Sequence, residues 1–139
     1  MWKDSVPAIL MAHYPGMEGG TVIAKTSFGD INLGGKLPFV LPKRESDLPQ
    51  VDWDATQIAY GYYHGYTLLE KEAIEPCLAY GYGLSYTTFE LSQPSFVSRE
   101  EGITACCLLK NTGSLRGDEV VQLYMGFNNS KADRPVKVL

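Results

Sequence analysis

The feature that most constrains this 139-residue chain is a change of hydrophobic period partway along it. After Leu84, Ile103, Ala105, Cys107 and Leu109 alternate with Thr104, Cys106, Leu108 and Lys110. Val121, Leu123, Met125 and Phe127 alternate in the same way with Val120, Gln122, Tyr124 and Gly126. A period of two places one set of side chains on one face of a strand and predicts strands packed on that face. A first strand is expected at about Thr87 to Leu91, continuing past Pro94 toward Val97.

The first thirty residues follow different rules. Val6 to Tyr14 is a continuous apolar run ended by Pro15-Gly16, the pattern of a strand buried on both faces of an α/β sheet, with Pro7 at its first position. Met17, Gly20, Ala24 and Phe28 then recur at spacings of three and four, one stripe of a helix of about three turns. Glu18 lies where the positive helix end favours it, and Gly29 is a stop signal. Strand, turn and helix make half of a βαβ unit. Residues 32–49, with three prolines and two glycines, read as an ordered connection holding one extended piece at Phe39-Val40-Leu41.

Between these regions lie Tyr60, Tyr62, Tyr63, Tyr66, Tyr80, Tyr82 and Tyr86. Aromatic faces stack on sugar rings, but tyrosines also seal interfaces, one end of the ring dry and the other on a polar partner. The position of the stretch at an inferred junction favours the seal.

Three ordered motifs carry a resemblance. Pro15-Gly16-Met17-Glu18-Gly19-Gly20, then Gly81-Tyr82-Gly83-Leu84-Ser85-Tyr86-Thr87-Thr88-Phe89, then Asn111-Thr112-Gly113 with Gly117-Asp118-Glu119-Val120-Val121-Gln122-Leu123-Tyr124, together resemble the C-terminal part of glycoside hydrolase family 3. The resemblance implies an α/β fragment (strand–turn–helix) followed by an incomplete all-β fibronectin type III/immunoglobulin-like sandwich. The expected organisation is residues 1–50 as the end of an α/β sandwich domain, 51–83 as a tyrosine- and glycine-rich connection, and 84–139 as the first strands of the fibronectin type III-like domain. It implies a parent similar to a β-glucosidase that hydrolyses terminal β-D-glucosyl residues by a retaining mechanism. Its two catalytic carboxylates lie upstream of this chain, so the chain alone is expected to be inactive. The sequence departs from the family pattern at Asn32-Leu33 for Asn-Pro, at Tyr60-Gly61 for Glu-Gly, and at Thr67 for an arginine.

Retaining glycosidases need two carboxyl groups about 5–5.5 Å apart. The carboxylates considered are Glu18, Asp30, Asp47, Asp52, Asp54, Glu70 and Asp118. Asp52-Trp53 looks like part of the family's nucleophile segment, but it follows the Pro-Gly-Met-Glu-Gly-Gly turn and is rejected; Asp52 and Asp54 read as solvated loop residues. Glu18 reads as a helix cap rather than a substrate contact, and His13 as a satisfied core residue. His64 has no catalytic partner in sequence. Gly34-Gly35-Lys36 lacks the rest of a phosphate loop, and Asn128-Asn129-Ser130 is a formal glycosylation acceptor without weight of its own. No catalytic, cofactor or metal residue is assigned, no cofactor is expected, and the substrate-binding residues are left unassigned.

Partners and compartment follow from composition and resemblance. A formal charge of −4 argues against nucleic acid, and no apolar run approaches the roughly 20 residues of a membrane helix. The residues from Met1 to Pro7 lack the layout of a secretion signal, and three cysteines, with Cys106-Cys107 adjacent, read as buried reduced thiols. These favour a reducing, cytoplasmic setting. The expected partners are a β-glucoside bound by the parent, the parent's missing N-terminal domains, and further copies through open sheet edges. The competing reading is a stand-alone carbohydrate-binding or scaffolding module.

Overall fold

The computed structural model describes residues 2–139. The chain divides into two compact units that interleave in sequence, Met1–Leu33 with Ser85–Gly117 and Gly34–Leu84 with Asp118–Leu139. No helix among the described residues is long and apolar enough to cross a membrane.

In the first unit, a 3-10 turn at Trp2–Ser5 precedes helix α1, Gly19–Ser27. The helix ends as its sequence requires. Gly29 takes φ +84, a conformation costly for a side chain, and its N–H donates to the Thr26 carbonyl at 3.1 Å. The Asp30 N–H reaches back to the Lys25 carbonyl at 2.8 Å, so two otherwise orphaned carbonyls are paired. The face this helix buries is that of Gly19 and Thr26, seven positions apart. The apolar stripe is left outside, with Met17 and Phe28 exposed. Glu18 stands at the N-cap, but its side chain makes no capping hydrogen bond, which corrects the expectation of a cap.

Val6 to Tyr14 is not a strand, contrary to expectation. A strand is defined by its hydrogen-bonded neighbours, and no described segment pairs with this one, so apolarity alone leaves it an irregular, largely exposed run. His13 accordingly is exposed, at φ 50, and not a core residue.

Strands β1 (Phe89–Arg99) and β2 (Gly102–Asn111) form an antiparallel hairpin, in register from Phe89 opposite Asn111 to Arg99 opposite Gly102. The ladder slips between Ser92 and Ser95, where Gln93 adopts φ 52 and Pro94 has no N–H to donate. A bulge is how a proline is accommodated inside so long a strand. Neither face of the hairpin is covered: Leu91, Phe96, Val97, Ile103 and Leu108 are all exposed. Cys106 and Cys107 are exposed as well, correcting the expectation of buried thiols, because a two-stranded ribbon has no second layer to bury them.

The second unit pairs the Phe39-Val40-Leu41 region with residues 77–82. The Leu41 N–H donates to the Leu78 carbonyl at 2.9 Å and the Cys77 N–H to the Leu41 carbonyl at 2.7 Å. Leu37 and residues 81–82 exchange two further backbone bonds at 2.9 Å. A 3-10 turn at Glu45–Asp47 and a helix not foreseen, α2 (Gly65–Lys71), complete the unit with β3 (Met125–Gly126) and β4 (Lys137–Val138), which pair antiparallel. The strand expected over residues 120–127 is thus reduced to two residues, since only Met125 and Gly126 find a partner. Leu69, on α2, is the one large apolar side chain buried among the described residues.

The accessible surface is 11482 Å². A compact protein of 15.4 kDa exposes about 7,200 Å², and two separate compact bodies of half that mass about 8,700 Å² between them. Even on the second standard roughly 2,800 Å² is in excess, the scale of a permanent protein interface. The helices and the two-stranded antiparallel sheets are formed; most of the apolar surface they organise is not buried within the chain.

Candidate functional site

Two of the carboxylates considered from sequence, Asp47 and Asp52, bond the backbone of their own turns. Asp47 Oδ2 accepts the Arg44 N–H at 2.9 Å, fixing the start of the 3-10 turn. Asp52 Oδ1 accepts the Asp54 N–H at 3.0 Å in a loop turn, so both sit as the exposed loop residues expected. Glu18, Asp30 and Asp118 are exposed. His64 precedes α2, where its N–H and carbonyl both bond the Thr67 hydroxyl, at 3.3 and 2.8 Å. Its backbone therefore has a structural role. Lys36 is not part of a phosphate loop: its ammonium lies 2.8 Å from Glu119 Oε1 and donates to the Gly83 carbonyl at 2.9 Å, both side chains mostly buried.

Glu70 differs from the rest. It is the penultimate residue of α2 and borders a cavity of about 100 Å³ lined by Val40, Leu69, Ile74, Tyr66, Tyr80, Tyr124 and Lys137, among others. Its Oε1 lies 3.0 Å from Lys137 Nζ. Its Oε2 is fully buried with no hydrogen-bond partner. The Tyr66 ring packs against Tyr80 with centroids 5.2 Å apart and against Tyr124, edge to face, at 5.9 Å. Lys137 Nζ stands 4.9 Å from the centre of the Tyr124 ring, and the Leu139 N–H donates to the Tyr66 hydroxyl at 3.1 Å. Burial pushes the Tyr124 phenol above its ordinary range, while the Lys137 ammonium pulls it the other way.

The tyrosines therefore part company. Tyr66 and Tyr80 join Tyr124, which lies outside the tyrosine-rich stretch, whereas Tyr60, Tyr62 and Tyr82 are exposed. Tyr63 forms a surface cluster in which its hydroxyl donates to Asp133 Oδ1 at 2.6 Å. Lys71 Nζ lies 3.3 Å from Asp133 Oδ2 and 3.7 Å above the Tyr63 ring. The hydrogen bond to Asp133 pushes the Tyr63 phenol up to about 12. The same bond, with help from Lys71, holds Asp133 below the usual carboxylate range. Glu70 and Tyr66 are far from Tyr124 and Lys137 in sequence; the local signal that joins them is the spacing of Tyr66, Leu69 and Glu70 on one turn of helix.

The chain's sequence and fold define a recognised protein class. Residues 1–86 match the glycosyl hydrolase family 3 C-terminal domain, and the chain belongs to this family. It is 32% identical to beta-glucosidase BoGH3A of Bacteroides ovatus, over 99% of this chain and 20% of that protein. It is 38% identical to the probable beta-glucosidase H of Neosartorya fischeri, over 99% of this chain and 18% of that protein. Its fold is similar to that of beta-glucosidase 3B from Thermotoga neapolitana in complex with glucose, with a TM-score of 0.88 and 34% identity across 98% of this chain and 20% of that one. The chain spans about a fifth of the length of the curated relatives it matches.

Proposed function

We propose that this chain is a non-catalytic C-terminal portion of a retaining β-glucosidase-like glycoside hydrolase whose two catalytic carboxylates lie outside it. The observation that carries the reading is one of proportion: 99% of the chain aligns with proteins called β-glucosidases, yet accounts for only 20% of the first of them. The exposed surface supports it. A helix with Met17 and Phe28 outside and a hairpin bare on both faces are parts made to be covered.

In this reading residues 1–50 close an α/β sandwich domain, 51–83 connect it, and 84–139 open a fibronectin type III-like sandwich that further strands would complete. The parent acts on terminal β-D-glucosyl residues of β-glucosides. Its other domains are the partner that covers this chain. A reducing, cytoplasmic setting is part of the same reading, supported by the odd number of cysteines alone.

Two measurements test the proposal. The purified chain should release no aglycone from an aryl β-glucoside above buffer background. Hydrolysis that survives purification and disappears in Glu18→Gln or Asp52→Asn would overturn it. The coding sequence upstream of Met1 should read in frame into a series of βα repeats. A promoter and stop codon there, with saturable binding of glucose or cellobiose by the chain, would instead establish a carbohydrate-binding module.

A further inference from the structure

We propose that the outer edge of strand β2 is a self-pairing surface, bound antiparallel by β2 of a second copy about a two-fold axis at Cys106. The proposal goes beyond the glycosidase reading, since it uses neither a sugar nor any other domain of an enzyme.

The two edges of the hairpin are unequal. The β1 edge is broken by the slip between Ser92 and Ser95, with Gln93 at φ 52 and Pro94 unable to donate. Strand β2 has no positive φ between Ile103 and Asn111, and no described strand pairs with its far side. The Thr112 N–H donates to the Thr88 carbonyl at 2.8 Å, which sets the phase of the ladder. Backbone groups alternate in direction along a strand, so the even-numbered residues of β2 turn theirs toward β1. Ile103, Ala105, Cys107 and Leu109 turn theirs outward, a row of donors and acceptors that templates another strand.

The strand is complementary to itself. Hydrogen-bonded partners must both turn their groups to the shared edge, so odd-numbered residues pair with odd-numbered ones. With Cys106 on the axis, Ile103 meets Leu109 of the second copy and Ala105 meets its Cys107, with about eight backbone hydrogen bonds in all. Apolar side chains then stand opposite apolar ones along that face. Lys110, the one charged residue of β2, lies opposite Gly102 and diagonal to Glu100 of the second copy. In-register parallel pairing would set lysine beside lysine instead. Moving the axis to Cys107 sets Ile103 against Asn111, whose side chain is already held by Thr87, Gly113 and Leu115. It also parts Lys110 from Glu100.

Disulfide trapping tests the register, because it reads contacts across one edge whatever the size of the assembly. Opposed residues that exchange no hydrogen bond have Cα atoms about 4.5 Å apart, within the reach of a disulfide. Cys106 meets that condition with Cys106 of the second copy, whereas Cys107 points to the other face, opposite Ala105. The full chain carrying Cys77→Ser and either Cys107→Ser or Cys106→Ser is treated with diamide, which takes up the two thiol hydrogens as the disulfide forms. Nonreducing electrophoresis then measures the covalent dimer. Cys106 should link about tenfold faster than Cys107. With all three cysteines replaced by serine, Thr104→Cys together with Leu108→Cys should link, and neither should alone. That gain is one that no loss of folding can imitate. Equal rates for Cys106 and Cys107, faster linking through Cys107, no covalent dimer, or a double variant no faster than its single parents would overturn the proposal.

Discussion

Asn32 holds Tyr86 across 54 positions of sequence, its Oδ1 accepting the Tyr86 N–H at 2.7 Å. The same oxygen accepts the Ser85 hydroxyl at 2.9 Å, and the Asn32 amide donates to the Arg116 carbonyl at 3.0 Å. One half-buried side chain thus joins the end of the α1 region to both flanks of the β1–β2 hairpin. Nearby, the Tyr86 hydroxyl donates to the carbonyl of buried Thr26 at 2.9 Å and ties the hairpin's entry to the helix itself.

Removing that side chain should loosen the first unit. Asn32→Ala is expected to cost about 2 kcal/mol, the net worth of a few hydrogen bonds with some recovered by water. Urea titration followed by circular dichroism measures it, and Asn32→Asp, which keeps the acceptor but loses the donor, should fall between the two. A midpoint unchanged in Asn32→Ala would show that the three bonds contribute nothing net.

Two glycines should respond with opposite signs. A methyl group at Gly83 would lie 2.4 Å from the Gly35 carbonyl oxygen, a contact only backbone movement can relieve, so Gly83→Ala should destabilise the second unit by about 2 kcal/mol or more. Gly20 lies in helix α1, and beyond its chain neighbours and its own turns of helix no described atom comes within 4 Å of the site such a methyl group would take. Gly20→Ala should stabilise by roughly 0.5–1 kcal/mol, because alanine loses less backbone freedom on forming helix. Paired thermal melts decide both, and a shared sign would refute the local argument.

The Tyr63–Asp133 pair sets a pH dependence at both ends of the scale. Tyr63 is raised to about 12, so its contribution is complete below the ordinary phenol range and lost as pH climbs through about 12. Asp133 is lowered, so its contribution is complete above the ordinary carboxylate range and lost as pH falls through its depressed value. Among the late-titrating phenols seen in tyrosinate absorbance, which include Tyr124, the one belonging to Tyr63 should return toward the ordinary value in Asp133→Asn. An unaltered titration curve in that variant would remove Asp133 as the cause.

The bare hairpin predicts association. Strands β1 and β2 offer two open edges and uncovered apolar faces, which invite pairing with other copies when nothing else covers them. Sedimentation velocity at rising concentration should show growing assemblies, and the thermal transition should be broad. A monodisperse monomer with one sharp transition would mean that the chain buries this surface by itself.

Local chemistry was legible in the residues alone. The spacing of Met17 to Phe28 foretold α1, Gly29 its stop, the alternation of residues 103–109 strand β2, and the three ordered motifs the family. Each of these depends on neighbours close in sequence or on a pattern the chain carries complete. What failed were the statements that needed a distant partner. Val6 to Tyr14 has the composition of a buried strand and, among the described residues, no strand beside it. Residues 120–124 alternate correctly and find no strand partner among the described residues; Cys106, Cys107 and His13 are apolar in context and exposed in fact. The Glu70 cavity was hidden for the same reason, because Tyr80, Tyr124 and Lys137 reach it only once their segments meet around α2. Periodicity says which face of an element is apolar; which surface covers that face, or whether any does, is settled by contacts between residues far apart in the chain.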